Sequence, residues 1–450
     1  MFSPSDTIVA VATPPGRGGI GVVRISGPIA HEIAATVAGR PAPLERRRAT
    51  MADICVDGIA IDRTVVTFFP GPHSYTGENV VEISAHGSPV VLRAIVEAAM
   101  RAGARLAEPG EFTFRAYLHG RMDLVQAEAV RDLVDAVTPL QARAAFDQLE
   151  GTLTARILEI DTALFELSAR LEASLDFPEE GYHFIAPGSA AEEIQAVCRQ
   201  IELLLGDARR GRLVREGAQA VILGRPNSGK SSLFNRLAGS GRAIVTPIPG
   251  TTRDLVTELI DIEGMAITLV DTAGLHGAPS DVVEEEGIAR ARAAREVADL
   301  ALVVLDGSRP LNEDDGALIA VTSDRPRLVI VNKGDLPRTW STGALGVPAI
   351  VVSATTGLGV DELRRSIATA LSGTERLNDP PAVTNARHVD LLAKAGATLQ
   401  RAAGAAEGGT PEEFVAADLA EARALLEEVT GVRTADDVLE EIFAKFCIGK

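Results

Sequence analysis

The stretch Ala220-Val-Ile-Leu-Gly224-Arg-Pro-Asn-Ser-Gly229-Lys230-Ser231-Ser232 matches G-x-x-x-x-G-K-[ST] without a mismatch. Its flanks decide its meaning. The apolar run from Ala218 to Leu223 predicts a buried strand and Ser231 to Ala238 predicts a helix, which puts the glycines in the turn between them. Backbone N–H groups in such a turn curl around a polyphosphate, and the helix N-terminus favours the anion. Lys230 is placed to neutralise charge on the β/γ oxygens, and the Ser231 hydroxyl to ligate Mg²⁺.

Motifs downstream choose the base. Asp271-Thr272-Ala273-Gly274 follows a predicted strand; an Asp there reaches Mg²⁺ through water and a Gly N–H meets the γ-phosphate. Asn332-Lys333-Gly334-Asp335 follows another. The Asp335 carboxylate can accept from guanine N1–H and the 2-amino group, which adenine cannot supply, while the Lys333 stem covers the base. Ser353-Ala354 fits the backbone contact to guanine O6. Gly250-Thr251-Thr252-Arg253-Asp254 lies where a first switch belongs, with Thr251 or Thr252 closing onto Mg²⁺. Leu275 and His276 stand where a Ras-like enzyme has its water-orienting Gln; His276 is either a base or a bystander, and Arg253 either a charge donor or the partner of a neighbouring acid.

Outward from this site, Leu255 to Ile262 and Met265 to Val270 flank Glu263-Gly264, a hairpin signal. Ala301 to Leu305, Leu328 to Val331 and Ala349 to Val352 read as buried parallel strands, so residues 217–372 predict a doubly wound α/β sheet. Upstream, Phe146, Leu149, Leu153, Ile157, Ile160, Leu164, Leu167, Leu171 and Leu175 step by three or four, the stripe of one long helix ended by Phe177-Pro178. A second helix spans Ala191 to Arg215; its arginines Arg209, Arg210, Arg212 and Arg215 are either an RNA contact or a solvated face. Downstream of about 380 the chain is helical again, Thr434-Ala-Asp-Asp437 reads as a capping box for the last helix, and an insertion into one helical domain follows. The first 120 or so residues alternate strands (Thr7–Ala12, Gly19–Ile25, Thr64–Phe69, Val80–Ser84) with one helix, Val90–Met100, an α+β pattern. Its two Gly- and Pro-rich loops, Thr13 to Gly19 and Phe69 to Gly77, are either ligand loops or plain turns.

Composition narrows the function classes. The net charge of −18 argues against a broad electrostatic grip on nucleic acid, so an RNA contact must be local or supplied by a partner. No apolar run nears the ~20 residues of a membrane span. Cys55, Cys198 and Cys447 are scattered, which excludes a disulfide framework or zinc motif and fits a reducing compartment. Met1 stands a few residues before the first strand pattern, so no targeting peptide is expected and the cytoplasm is the expected location. Basic residues are almost all arginine; of the five lysines, Lys230, Lys333, Lys394, Lys445 and Lys450, two fall in nucleotide motifs.

The ends of the chain carry a resemblance. Asp6 to Gly19, Arg24-Ile-Ser-Gly27, Pro109-Gly-Glu-Phe-Thr-Phe-Arg-Ala116, Asp123 to Ala129, the Thr251-Thr252-Arg253-Asp254 switch and Phe446-Cys-Ile-Gly-Lys450 resemble the MnmE (TrmE) tRNA-modification GTPases over nearly the whole length. The resemblance implies a multidomain protein: an α+β folate-binding and dimerising domain at 1–121, an all-α helical domain split between 122–216 and 373–450, and an inserted Ras-like P-loop G domain at 217–372. It implies a homodimer and an FAD-containing MnmG (GidA)-like partner that holds much of the tRNA, with which the family installs a carboxymethylaminomethyl or aminomethyl group at C5 of the wobble uridine. No membrane role is implied.

By the same resemblance, Arg24, Glu82 and Lys450 hold 5-formyl-tetrahydrofolate or a related folate, with Arg121 standing where many members have Lys. GTP is enclosed by Asn227, Ser228, Gly229, Lys230, Ser231 and Ser232, by the switch Thr246, Pro247, Ile248, Pro249, Gly250, Thr251 and Thr252, and by the three later motifs. Mg²⁺ falls to Ser231 and Thr252, and K⁺, which drives G-domain dimerisation, to Asn227, Thr246, Ile248 and Thr251. Glu284 matches the acid that positions the hydrolytic water; Glu285 and Glu286 adjoin it, and His276 stands where the family commonly has Arg. Cys447 matches a family Cys required for modification, and without the resemblance would read as a helix-end thiol. Lys230, Glu284 and Cys447 are thus the expected catalytic residues.

Two other function classes compete with this one. A GTP-controlled ribosome or RNA assembly factor predicts a basic RNA-binding module, which the charge balance does not supply. A folate-dependent one-carbon transferase acting alone lacks a flavin or nicotinamide fingerprint.

Overall fold

The computed structural model describes residues 6–39, 43–56, 58–176, 189–240, 256–271, 298–373 and 382–450. The chain divides into two compact units. One comprises Met1–Arg131, Gln148–Thr162 and Arg423–Lys450, the other Asp132–Asp147 and Ala163–Ala422.

In the first unit β1 (Ile8–Val11), β2 (Gly18–Ser26), α1 (Ala30–Val37), β3 (Thr50–Val56), β4 (Ile59–Phe69), β5 (Val80–Gly87), α2 (Pro89–Arg101), β6 (Arg105–Leu106), α3 (Glu111–Leu118) and α4 (Leu124–Asp135) follow in order. The sheet runs β3-β4-β5-β2-β1-β6, antiparallel except for the parallel β1–β6 pair. Helix α1 buries Ala30, Ile33, Ala34 and Val37, and α2 buries Leu92, Ile95, Val96 and Ala99, each a single apolar face on the sheet core. Gly21 lets α2 close in: a Cβ there would lie 2.5 Å from Leu92 Cδ1. The expectation of one helix in this region is corrected to three. A weak four-position stripe such as that of α1 is stabilised by packing rather than by propensity, so its local signal is small. Strand β3 was not read from sequence; it buries only Ala52 and Ile54, between the exposed Met51, Asp53 and Cys55.

The last helix, Asp436–Ala444, packs Leu439 and Phe443 with Phe446, Leu124 and Ala127. It is not started by the expected capping box. Its N-cap is Ala435, without a side-chain hydrogen bond, because the Thr434 hydroxyl donates to the Glu428 carbonyl at 3.4 Å instead.

The expected long helix is two, α5 (Pro139–Leu149) and α6 (Thr152–Asp176). Gly151 at φ 83° breaks them apart, leaving Phe146 49% exposed. From Leu153 to Leu171 the stripe is buried as expected. The next helix likewise divides, into α7 (Ser189–Leu205) and α8 (Ala208–Glu216), at Gly206-Asp207, where Gly is a poor helix interior and Asp takes the N-cap position.

Then come β7 (Ala218–Gly224), α9 (Lys230–Ser240), β8 (Val256–Ile262), β9 (Met265–Asp271), β10 (Leu300–Asp306), α10 (Glu313–Val321), β11 (Arg327–Asn332), β12 (Ala349–Val351) and α11 (Val360–Ser372). The sheet order is β12-β11-β10-β7-β9-β8. Only β8–β9 is antiparallel, turned through Glu263 (φ 53°) and Gly264 (φ 89°), the two positive values that a two-residue hairpin loop needs. The remaining pairs are parallel. Helix α7, before this sheet, packs along α12 (Ala386–Glu407), after it, and α13 (Glu412–Thr430) follows. The fold is thus an α+β module, a helical part contributed from both sides, and a doubly wound P-loop sheet. Among the described residues no helix is long and apolar enough to cross a membrane.

Candidate functional sites

The turn between β7 and α9 is shaped for close approach. Asn227 (φ 63°) and Gly229 (φ 92°) are both left-handed, conformations that Asn and Gly adopt most readily. A Cβ on Gly229 would lie 2.2 Å from Asn332 Nδ2, and one on Gly224 2.5 Å from the Val304 carbonyl. Lys230 is buried and its ammonium donates to the Arg225 carbonyl at 2.9 Å. Burial pushes its pKa down, and Asp271, buried at the end of β9, pulls it partly back. Ser228 Oγ is buried without a hydrogen-bond partner among the described residues. Ser231 and Ser232 stand exposed at the start of α9.

Asn332, 2% exposed, joins this turn to the base motifs. Its Nδ2 donates to the Ser228 carbonyl at 3.0 Å, and its Oδ1 accepts from Ala354 N–H at 3.1 Å. Within the Ser353-Ala354 pair expected to meet guanine O6 through its backbone, the Ala354 N–H is thus bonded to Asn332. Lys333 (φ 62°) pairs with Asp306 at 2.6 Å. Burial alone would raise the Asp306 pKa; the Lys333 ammonium and the Ser308 hydroxyl and N–H outweigh it and hold the carboxyl below its ordinary value. The exposed Asp335 accepts from Ser353 Oγ at 2.6 Å. Asp306 was not singled out in the sequence; its signal is an acid ending a parallel strand beside the Asn332 strand. The assigned Thr246, Pro247, Ile248, Pro249, Gly250, Thr251, Thr252, Thr272, Ala273, Gly274 and Glu284, with Arg253, His276, Glu285 and Glu286, lie outside the described residues.

A second polar cluster forms in the first unit. Arg24 on β2 and Glu82 on β5 are register partners and pair at 2.9 Å. The Arg24 guanidinium sits 4.9 Å from the Tyr75 ring centroid and 5.7 Å from that of Phe112, within cation–π range. The chain end reaches this group: Gly110 N–H donates to the Cys447 carbonyl at 3.4 Å, Pro109 bridges Ile448, and Arg24 Nη1 donates to the Gly449 carbonyl at 3.5 Å. Gly449 (φ 96°) cannot be replaced without a clash, since a Cβ would fall 2.2 Å from the Val11 carbonyl. Burial, and then the Arg24 charge, push the Lys450 pKa down. Cys447 is exposed. Arg121 is exposed beside Gly77, its Cγ 3.4 Å from where a Gly77 Cβ would lie, and is not joined to Arg24, Glu82 or Lys450 by any described contact. Tyr75 and Phe112 were missed as members of the cluster; Tyr75 does sit in the Phe69–Gly77 loop read as a possible ligand loop.

Next to it lies a buried ion network that the sequence reading did not interpret. Arg115, 1% exposed at its side chain, pairs with Asp6 at 2.8 Å, Glu111 at 2.9 Å and Glu78 at 3.2 Å. Arg105 adds Asp6 at 2.8 Å and Glu111 at 2.6 Å. The i,i+4 spacing of Glu111 and Arg115 was the available signal. The arginine run of α8 divides: Arg210 is buried and Arg215 pairs with Asp132 at 2.7 Å, while Arg209 and Arg212 stand on the solvated side.

Comparison with known proteins finds relatives along nearly the whole chain. Residues 124–447 match a family described as MnmE helical domain, and residues 7–121 one described as GTP-binding protein TrmE N-terminus. The chain is 45% identical to the tRNA modification GTPase MnmE of Koribacter versatilis, with 99% of each chain covered. It is 42% identical to that of Nitrosomonas europaea, again with 99% of each covered. For that of Chloroflexus aurantiacus the identity is 43%, over 99% of this chain and 100% of the relative. Matched from its first strand to its C-terminal motif, the chain belongs to the MnmE (TrmE) family of tRNA modification GTPases.

Proposed function

We propose that this chain binds and hydrolyses GTP and uses that cycle in tRNA modification. In this reading it works in the cytoplasm as a homodimer with an FAD-containing MnmG (GidA)-like partner that holds most of the tRNA, and installs a carboxymethylaminomethyl or aminomethyl group at C5 of the wobble uridine. Its domains in this reading are 1–121, 122–216 with 373–450, and 217–372. Asn332 carries the reading: one side chain ties the anion turn to the Ser353-Ala354 loop, making phosphate and base recognition a single site.

The residues fit the ligands. A buried Lys230 whose charge is disfavoured by burial gains from a polyanion, which favours the charged form. Ser231, with Thr252, would hold Mg²⁺, which neutralises charge on the β–γ oxygens during phosphoryl transfer. Asp335 accepts two guanine N–H donors. The exposed Asn227 offers its side-chain carbonyl to K⁺, completed by Thr246, Ile248 and Thr251, while Glu284 positions the water. In the first unit Glu82 offers an acceptor, and Arg24 and Lys450 offer cations, to a folate that supplies the one-carbon unit; Arg121 is assigned to the same ligand by the resemblance, and Cys447 stands at the chain end near Lys450.

The test is twofold. GTP turnover at equal ionic strength should be faster in potassium than in sodium for the wild type, with Asn227→Ala losing the difference; equal wild-type rates would remove the potassium site. Mass spectrometry of wobble nucleosides from a strain lacking the gene should show the C5 modification gone, and unchanged nucleosides would replace this reading with that of an RNA assembly factor.

A further inference from the structure

Lys333 is held by a carboxylate from the neighbouring strand. Its ammonium lies 2.6 Å from Asp306 Oδ2, and Asp306 Oδ1 accepts from the Ser308 N–H at 2.9 Å and hydroxyl at 2.6 Å. Asp306 ends β10 in register with Asn332. The loop behind it is fixed too. Gly307 N–H donates to the Asn332 carbonyl at 3.0 Å, and a Cβ on Gly307 would meet Val331 Cγ1 at 2.9 Å. Arg309 Nε, 3.9 Å from the same carboxylate, is the other cation beside it.

Two residues beyond Lys333 stands Asp335, exposed, with only the neutral Ser353 hydroxyl on its carboxylate in the described contacts. The lysine stem is flexible and its ammonium can turn to another acceptor; here it is held by the Asp306 carboxylate, itself fixed by two hydrogen bonds from Ser308. We propose that Asp306 is a positioning residue for base recognition: by holding the Lys333 ammonium it keeps the Asp335 carboxylate uncompensated and free to accept from the guanine N1–H and 2-amino group. Without Asp306 the ammonium turns to Asp335, which weakens guanine binding and relieves the repulsion that excludes xanthine, whose 2-oxo group faces the same carboxylate. The inference rests on the reading of this site as a guanine-nucleotide site.

The experiment titrates the full chain with fluorescent GDP and xanthosine diphosphate analogues. Asp306→Asn, which keeps shape and removes charge, should weaken GDP about tenfold and lower the GDP to xanthosine diphosphate preference about tenfold. In a Lys333→Met background, where no ammonium can be diverted, Asp306→Asn should change that preference less than about twofold. Asp306→Glu should restore most of the preference. Because the readout is a ratio within one sample, a reduced folded fraction does not move it. An unchanged ratio in Asp306→Asn, or the same loss with and without Lys333, overturns the proposal. A wild-type chain that binds ADP as tightly as GDP overturns instead the guanine-site reading beneath it.

Discussion

Asn332→Ala removes, from a side chain that is 2% exposed, the bonds to the Ser228 carbonyl and from the Ala354 N–H, with a longer one to the Gly229 carbonyl at 3.5 Å. The Ser228 carbonyl and the Ala354 N–H lose that partner together. Each buried polar group left unmade costs about 1–3 kcal/mol. Part of that loss is recovered if water enters the space, so about 2–4 kcal/mol remains against holding the two loops in their binding positions. At about 1.4 kcal/mol per factor of ten, GDP affinity should fall roughly 30- to 1,000-fold. Asn332→Asp is the sharper variant. It preserves size and the acceptor for Ala354, but sets a second oxygen against the Ser228 carbonyl, now 3.0 Å from a donor, so it should bind GDP no better than Asn332→Ala. The assay is titration with a fluorescent GDP analogue, alongside thermal melts with and without GDP. Affinity within threefold of wild type in Asn332→Ala, even with a lowered melting temperature, would show that the bridge supports the fold alone and refute the single-site reasoning.

Gly449→Ala should dislodge the chain end, since φ 96° disfavours a side chain and the new Cβ would sit 2.2 Å from the Val11 carbonyl; folate titrated against this variant should bind at least tenfold more weakly while GTP turnover stays within twofold, and unchanged folate binding would separate the chain end from that cluster. Cys447→Ser, in an exposed position outside the nucleotide turn, should leave GTP turnover near wild type and abolish wobble modification; normal modified tRNA in that strain would make Cys447 structural. The Asp6 and Glu111 carboxyls titrate below their ordinary values in the folded chain, Asp6 chiefly through hydrogen bonds from Arg105, and Glu111 because Arg105, the Glu108 N–H and Arg115 outweigh burial. A depressed folded pKa contributes stability above the unfolded carboxylate range and loses it as pH falls through the folded value. Melts from pH 7 to 3 should therefore drop below about pH 4.5, with a shallower acid slope in Arg105→Met; parallel slopes would remove the network from the acid response.

Local chemistry made the nucleotide half legible. Gly224, Gly229 and Lys230 between an apolar run and a helix specify a turn whose backbone geometry is set within a dozen or so residues, and Glu263-Gly264 specifies its hairpin in two. The helix breaks were legible in principle, yet the apolar stripe from Phe146 to Leu175 masked Gly151, because spacing by three and four continues across a kink. The strand β3 was missed for the opposite reason: with Met51, Asp53 and Cys55 exposed it has only two buried residues, and pairing with β4 decides it.

The sequence by itself determined the nucleotide motifs, their order, the α/β sheet that carries them, and, through the resemblance of both ends, the family. Tertiary structure alone decided which groups meet. It brought Lys450 to Arg24 and Glu82, buried Arg210 and Arg115, and paired Lys333 with Asp306. The physical reason is range: backbone conformation and hydrophobic periodicity are properties of neighbours along the chain, whereas a carboxylate's partner is set by strand register and helix packing between residues far apart in the sequence, 27 positions for Lys333 and Asp306.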